Sequence, residues 1–253
     1  MSDALLLDTM PADPAVIRRS APAVSATIRV MTWNIHGGVG VDGRFDLPRI
    51  IATIARHDPD VVALQEVDSR RCAPGDPPPF TFLKEAVGHH GVEAKSIITA
   101  DGEYGQILVS KWPFVSADIH DLTTAGREPR RAIEAEIRTD RGNLRVIASH
   151  FGLGFAERKS QAQRIVEIAR RHPTTTVMLG DFNDWAWPSS LRAALRRELP
   201  ARTRHASFPS WCPLLRLDRI YCWPRETLVR SFTDRSARIC SDHLPVIADV
   251  KLE

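Results

Sequence analysis

Again and again along this chain an apolar run stops at a short acidic or amide motif, and that punctuation limits what the chain can become. Thr32-Trp33-Asn34, Leu64-Gln65-Glu66-Val67, Ser149-His150, Gly180-Asp181-Phe182-Asn183 and Ser241-Asp242-His243 each stand at the end of such a run. Residues 60–67 are almost continuously apolar, as in a strand covered on both faces. Strands of that kind belong to an α/β core, and their ends are where loops converge on a common site.

The remaining periodicities fill in this frame. Asp46 is placed to cap a helix whose apolar face is Leu47, Ile50, Ile51 and Ile54, with Pro48 tolerated in its first turn. A Pro-rich loop over residues 72–80 leads into a helix over 80–89. Short runs at 92–99, 106–111, 114–121, 132–138 and 144–149, separated by Gly or Pro turns, read as antiparallel strands. A further helix carries an apolar stripe of Ala162, Ile165, Val166 and Ala169, with Glu157, Arg158, Lys159 and Gln161 expected on its wet side. A strand at 174–179, a helix at 189–199 and strands at 216–222 and 245–252 complete the pattern. No repeat and no linker divides it, so residues 27–253 read as one domain. Residues 1–26 mix Ala, Pro and Ser without periodicity and read as a disordered or loosely docked tail.

Composition narrows the chemistry. At 253 residues, 43% hydrophobic and 26% charged, the chain has the make-up of an ordinary globular protein. Its net charge of +3 permits an anionic substrate without the strong basic footprint of a dedicated nucleic-acid binder. Cys72, Cys212, Cys222 and Cys240 form no close pair, which argues against a disulfide framework or a structural zinc and for a reducing compartment. The start lacks a basic, long apolar leader, and no run approaches a membrane span; the cytoplasm is the expected location. The polar motifs offer hard oxygen donors, which suit Mg²⁺ or Mn²⁺ rather than zinc.

Taken in order, these motifs resemble the endonuclease/exonuclease/phosphatase superfamily. Trp33-Asn34-Ile35-His36-Gly37, Leu64-Gln65-Glu66-Val67, Arg127-Glu128-Pro129, Ser149-His150, Gly180-Asp181-Phe182-Asn183, Leu217-Asp218-Arg219-Ile220 and Ser241-Asp242-His243-Leu244-Pro245 carry the likeness. The resemblance implies a four-layer α/β sandwich, two mixed sheets face to face with helices outside, and metal-dependent phosphoester hydrolysis. It implies Glu66 as the principal metal carboxylate, with Asn34 beside it as a metal or phosphate contact and Asp242 as a further ligand. Asp181 would orient and polarise the attacking water, and Asn183 would hold phosphate or that water. His243 would stabilise the phosphoryl oxygens, paired with Asp218, and His150 would stand near the leaving group. Arg127 would contact phosphate. His36 follows Asn34 where some relatives carry an acidic ligand, and Glu103 is a candidate to orient His150.

The substrate is less legible. The pattern looks most like small bacterial members of unassigned or phospholipid-linked activity, so a small or lipid phosphodiester handled by a monomer, with peripheral membrane contact, is the leading expectation. A metal-dependent nuclease, apurinic-site cleavage included, is the alternative. A non-catalytic binding protein on the same scaffold is a third. Arg192, Arg196, Arg197, Arg202 and Arg204 are expected to be mainly a solvated helix face, and Trp185, Trp187 and Trp211 to pack beneath the site.

Overall fold

The computed structural model describes residues 27–73, 75–171, 174–185 and 189–252. The expected tail over residues 1–26 and Trp187 lie outside them. Two six-stranded sheets face each other. The first contains β1 (Ile28–Asn34), β2 (Val61–Asp68), β3 (His90–Thr99), β4 (Gly102–Ser110), β11 (Leu228–Thr233) and β12 (Val246–Val250), in the order β11-β12-β1-β2-β4-β3. The second contains β5 (Phe114–Asp121), β6 (Arg131–Thr139), β7 (Gly142–His150), β8 (Thr176–Asp181), β9 (Ala201–Arg202) and β10 (Asp218–Trp223), in the order β5-β6-β7-β8-β10-β9. Helices α1 (Leu47–His57) and α2 (Pro79–Val87) cover the first sheet, and α3 (Phe155–Ala169) and α4 (Ser190–Glu198) cover the second. This is the expected four-layer α/β sandwich. Among the described residues, no helix is long and apolar enough to cross a membrane.

Strand alternation distributes the core. Val30, Ala63, Leu108, Val146, Leu179 and Ile220 turn inward between the sheets. Their neighbours turn outward onto the helices: Met31, Trp33 and Leu64 meet α1 and α2, while Ile147, Met178 and Tyr221 meet α3 and α4. Burying each such side chain contributes roughly 1.5–3 kcal/mol, so both faces of each sheet are committed. Asp46 caps α1 as expected, accepting a hydrogen bond from the Arg49 N–H at 3.0 Å.

The meander β5-β6-β7 and the β3-β4 hairpin are antiparallel, as the short turns foretold. The β1-β2 and β7-β8 pairs are parallel, and their C-terminal ends open on one cleft. The edge strands β9 and β11 carry no signal in the sequence reading, and β4 begins at Gly102 rather than at residue 106.

One expectation fails in an informative way. Glu157, Arg158 and Gln161 are buried, not solvated. Gln161 Oε1 accepts the Gly152 N–H at 2.9 Å, Glu157 Oε2 accepts the Gly154 N–H at 3.2 Å, and the Arg158 guanidinium donates to the Leu153 carbonyl. The polar face of α3 therefore satisfies the backbone of the loop leaving β7, which has no ladder partner of its own.

Candidate active site

Three strands of the second sheet deliver three polar side chains in line. His150 pairs in register with Asp181, and Asp181 with Asp218. The close approach depends on Gly180: a Cβ there would fall 1.8 Å from the Ser149 carbonyl oxygen, and its φ is +153°. Just past β8, Asn183 takes a left-handed φ of 48°, which lets its N–H donate to Asp181 Oδ1 at 2.8 Å. Its amide nitrogen donates to the Phe151 carbonyl at 2.8 Å and lies 3.4 Å from His150 Nε2.

The first sheet supplies the opposite wall. The β2–β4 register slips between Leu64 and Val67, and Glu66 sits in that bulge with φ of 57°. A bulge re-aims a side chain that regular alternation would send elsewhere. Glu66 remains 26% exposed, into the cleft. Asn34 bridges the walls: its amide nitrogen donates to Glu66 Oε1 at 2.8 Å and to Asp181 Oδ2 at 3.1 Å. Its Oδ1 accepts the His36 N–H at 3.0 Å, which fixes the amide's orientation. Asn34 thus turns its amide donors towards the two carboxylates, while its oxygen accepts from the His36 backbone.

His243 is held from several sides. Asp218 Oδ2 lies 2.7 Å from His243 Nδ1. The Trp33 indole donates to the His243 carbonyl at 2.9 Å, and Ser241 Oγ accepts the His243 N–H at 3.1 Å while donating to the Asn34 carbonyl at 2.7 Å. The Phe208 ring covers the imidazole at 4.8 Å between centroids. With Nδ1 engaged by Asp218, Nε2 faces Asp181 Oδ2 at 3.9 Å.

The electrostatics follow from this burial. Burial opposes a charge on His243, but Asp218 and Asp181 outweigh it and raise the ring to about 10. Asp181 is pushed up to about 7 by burial and by the neighbouring Asp218. His150 goes the other way: burial, then Arg130 and His243, hold it well below its ordinary value, so the ring is neutral. One cationic imidazole and one neutral imidazole thus share the cleft with Glu66, Asp181 and Asp218.

Those acidic groups bear on metal binding. Ligand atoms of Asp181, Asp218 and His243 lie within 4.8 Å of one another. The Asp218–His243 hydrogen bond already occupies the facing atoms of that pair, so this trio fits an imidazole-orienting relay better than a cation cage. Glu66 is the better fit for a hard divalent ion, being an open carboxylate beside a second, Asp181, across Asn34.

The other predicted residues stand farther out. Asp242 faces His36, with Oδ1 3.9 Å from the ring Nδ1. Arg127 is exposed on the turn after β5, beside Gly154. Glu103 pairs with Lys95 Nζ at 2.8 Å on the neighbouring strand, and its carboxylate is committed there rather than to His150. Among the arginines expected on a wet helix face, Arg192 instead pairs with buried Asp184 at 2.9 Å, whereas Arg196 and Arg197 are exposed. Trp185 and Trp211 do not pack beneath the site; both are exposed.

Sequence reasoning missed Arg130 and Tyr104 as site residues. Both line the cleft with His150 and Glu66. Arg130 is buried, its guanidinium pairs with Glu128, and its Nε has no hydrogen-bond partner. Tyr104 lies against it, with burial pushing the phenol pKa up. The signal was the Arg-Glu-Pro-Arg run, in which Pro129 turns the chain so that its last arginine, not its first, enters the interior. The whole cleft encloses about 460 Å³, and Leu153, Trp185, Phe208, Leu215 and Leu217 line it beside the polar groups.

Known proteins resemble this chain in sequence and in fold. The uncharacterized protein YbhP of Escherichia coli (strain K12) is 29% identical over 250 residues, spanning 89% of this chain and 97% of that protein. An endonuclease/exonuclease/phosphatase from Beutenbergia cavernae DSM 12333 superposes with a TM-score of 0.73 at 24% identity, covering 89% of this chain and 72% of that one. The mannosyl-6-phosphatase Bt3783 of Bacteroides thetaiotaomicron superposes with a TM-score of 0.66 at 18% identity, covering 88% of this chain and 99% of that one. Residues 31–243 match the Endonuclease/Exonuclease/phosphatase family, and the chain belongs to it.

Proposed function

We propose that this protein is a divalent-metal-dependent phosphodiesterase acting on a small or lipid phosphodiester. The observation that carries the reading is the register of His150, Asp181 and Asp218 across three neighbouring strands, facing Glu66 over the Asn34 bridge. Mg²⁺ or Mn²⁺ would be held by Glu66, with Asp242 as an outlying candidate, and would supply electrophilic stabilisation of the phosphoryl oxygens.

The residues divide the remaining work. Asp181, raised towards neutrality, takes a proton from the attacking water, and Asn183 holds its carboxylate in place. His243, cationic and oriented by Asp218, stabilises the charge growing on phosphorus-bound oxygen. Asn34 donates to the carboxylates and orders them. His150, kept neutral, is a hydrogen-bond donor to the departing alkoxide rather than a cationic acid. Arg130 sets a positive charge on the wall, a better-placed phosphate partner than the exposed Arg127.

One feature supports a diester over a monoester: an apolar wall of Leu153, Trp185 and Leu215 suits an organic second substituent. The nuclease alternative draws on exposed Trp185 and Trp211, which have faces on which bases stack.

The test is one purified enzyme with Mg²⁺ against phosphomonoesters, soluble phosphodiesters, phospholipids, single- and double-stranded DNA, apurinic DNA and RNA. Hydrolysis of bis-p-nitrophenyl phosphate is expected with Mg²⁺ or Mn²⁺ and absent after chelation. Turnover that survives exhaustive chelation refutes the metal assignment. Plasmid nicking that exceeds every lipid and headgroup turnover replaces the reading with the nuclease.

A further inference from the structure

Half of the twelve large hydrophobic side chains that are exposed among the described residues stand on three short segments around the cleft mouth. They are Leu153 and Phe155 after β7, Trp185 after β8, and Trp211, Leu214 and Leu215 before β10. Trp211 is 71% exposed and Leu214 74%, more than solvent-facing aromatics and leucines normally leave uncovered in a contiguous group. Leu153, Trp185 and Leu215 also line the cleft itself, so the apolar rim is continuous with the catalytic wall.

The rim is built rather than loose. Arg158, buried under the loop, donates to the Leu153 carbonyl and lies 5.9 Å from the Trp185 ring centroid, which ties two of the segments together. The third segment is closed by the Phe208 carbonyl, which accepts from the Leu214 and Leu215 N–H groups at 2.9 and 2.8 Å. That closure projects Trp211 and Leu214 from the tip.

Charge selects the partner. Residues 151–156 and 208–217 contain no carboxylate, and Asp184 is buried against Arg192. Beside the rim, Arg216, next to Leu215, and Arg127, next to Gly154, are exposed, while the exposed carboxylate of Glu128, which also lines the cleft, is tied to the Arg130 guanidinium. Leucine tips offer no π-face for a nucleobase, but they fit the boundary between headgroups and acyl chains, where aromatic residues also reside. We infer that this rim seats the cleft on an anionic lipid bilayer, so that the phosphoester presented to the site belongs to a membrane lipid. The inference rests on the phosphodiesterase reading for its substrate, but the docking itself does not require turnover.

The experiment uses the full chain and vesicles of phosphatidylcholine with and without phosphatidylglycerol. Co-sedimentation is expected with the anionic vesicles, together with a blue shift of tryptophan fluorescence. The variant Phe155→Ser/Trp211→Ser/Leu214→Ser changes only exposed side chains outside the cleft lining. It should bind these vesicles at least about tenfold more weakly, the loss expected when several apolar side chains no longer insert. Its hydrolysis of bis-p-nitrophenyl phosphate should be unchanged. Wild-type protein that stays in the supernatant with both vesicles, or a variant that sediments as well as wild type, overturns the inference. So does a variant whose deficit is in binding single-stranded DNA, or in self-association by analytical ultracentrifugation, while its vesicle binding is intact. Asp181→Asn separates the two claims: it should sediment with vesicles and hydrolyse nothing. A wild-type protein that binds vesicles but cleaves no phosphoester leaves the docking standing and removes the proposed function.

Discussion

His243 Nδ1 and Asp218 Oδ2 lie 2.7 Å apart in the cleft, and His120 Nε2 and Glu134 Oε2 lie 2.7 Å apart on the second sheet, between β5 and β6. The two pairs match in chemistry and length, yet their surroundings make them different devices. Glu134 also accepts from the buried Arg145 guanidinium, at 2.9 Å to Nε, and Arg145 donates onward to the Ile168 carbonyl at 2.7 Å. Burial works against the Glu134 charge, but Arg145 outweighs it and holds the carboxyl below its usual value. That carboxylate belongs to the arginine, and the histidine is an accessory. Asp218 has no such guanidinium; its other oxygen is buried without a hydrogen-bond partner, so its field falls on His243. A carboxylate–imidazole contact becomes a chemical instrument only where no second cation claims the carboxylate and the far ring nitrogen is turned to another reactive group, as His243 Nε2 is to Asp181.

Mutating each pair tests that contrast most sharply. His243→Ala should lower turnover on bis-p-nitrophenyl phosphate by ~10²–10³, the usual cost of removing a positioned electrostatic donor, with circular dichroism unchanged. Asp218→Asn should give a smaller loss, since the ring remains and only its orienting charge is gone. Equal, near-normal turnover in both variants would erase the distinction between the pairs.

Glu134→Gln should do the reverse. It leaves Arg145 buried without its counter-charge, which typically costs about 3 kcal/mol and lowers the melting temperature by roughly 10 °C in a domain of this size. The turnover number of the folded fraction should stay at the wild-type value. A loss of turnover without a loss of stability would place Glu134 in the catalytic network after all.

The smallest effect concerns pH. Asp181, raised to about 7, keeps its proton in the folded chain where the unfolded chain has lost it. Metal-free stability from this group therefore falls as pH rises from about 4 to 7. His243, raised to about 10, contributes stability that is complete below its ordinary value and is lost as pH rises through about 10. The metal-free protein should melt at a lower temperature at pH 8 than at pH 5. Asp181→Asn should narrow that gap by a few degrees, as differential scanning fluorimetry with a chelator would register. An unchanged or wider gap would mean that the cleft does not strain Asp181 as described.

The strand ends and most of the cleft were legible because residue type and order carry them: Asn34, Glu66, His150, Asp181, Asn183, Asp218 and His243 all reach one place. What escaped depends on three-dimensional context. The polar face of α3 has the composition of a solvated surface, and only the unpaired backbone of residues 152–154 explains why Glu157 and Gln161 are inside. Arg130 and Arg127 differ by their places around Pro129, which composition does not distinguish. The bulge at Glu66 is invisible to an alternation rule, because its purpose is to break alternation. The exposed Trp185 ran against the general tendency of aromatics to be covered.

Ser241 Oγ reaches the Asn34 carbonyl across 207 residues, and β12 pairs directly with β1. Translation therefore assembles this cleft last. A chain emerging from the ribosome carries Asn34, Glu66, His150 and Asp181 long before it carries His243, and the Trp33 indole waits for a carbonyl not yet made. A chain that stops short of residue 243 lacks both its last strand and the imidazole that Asp218 would orient.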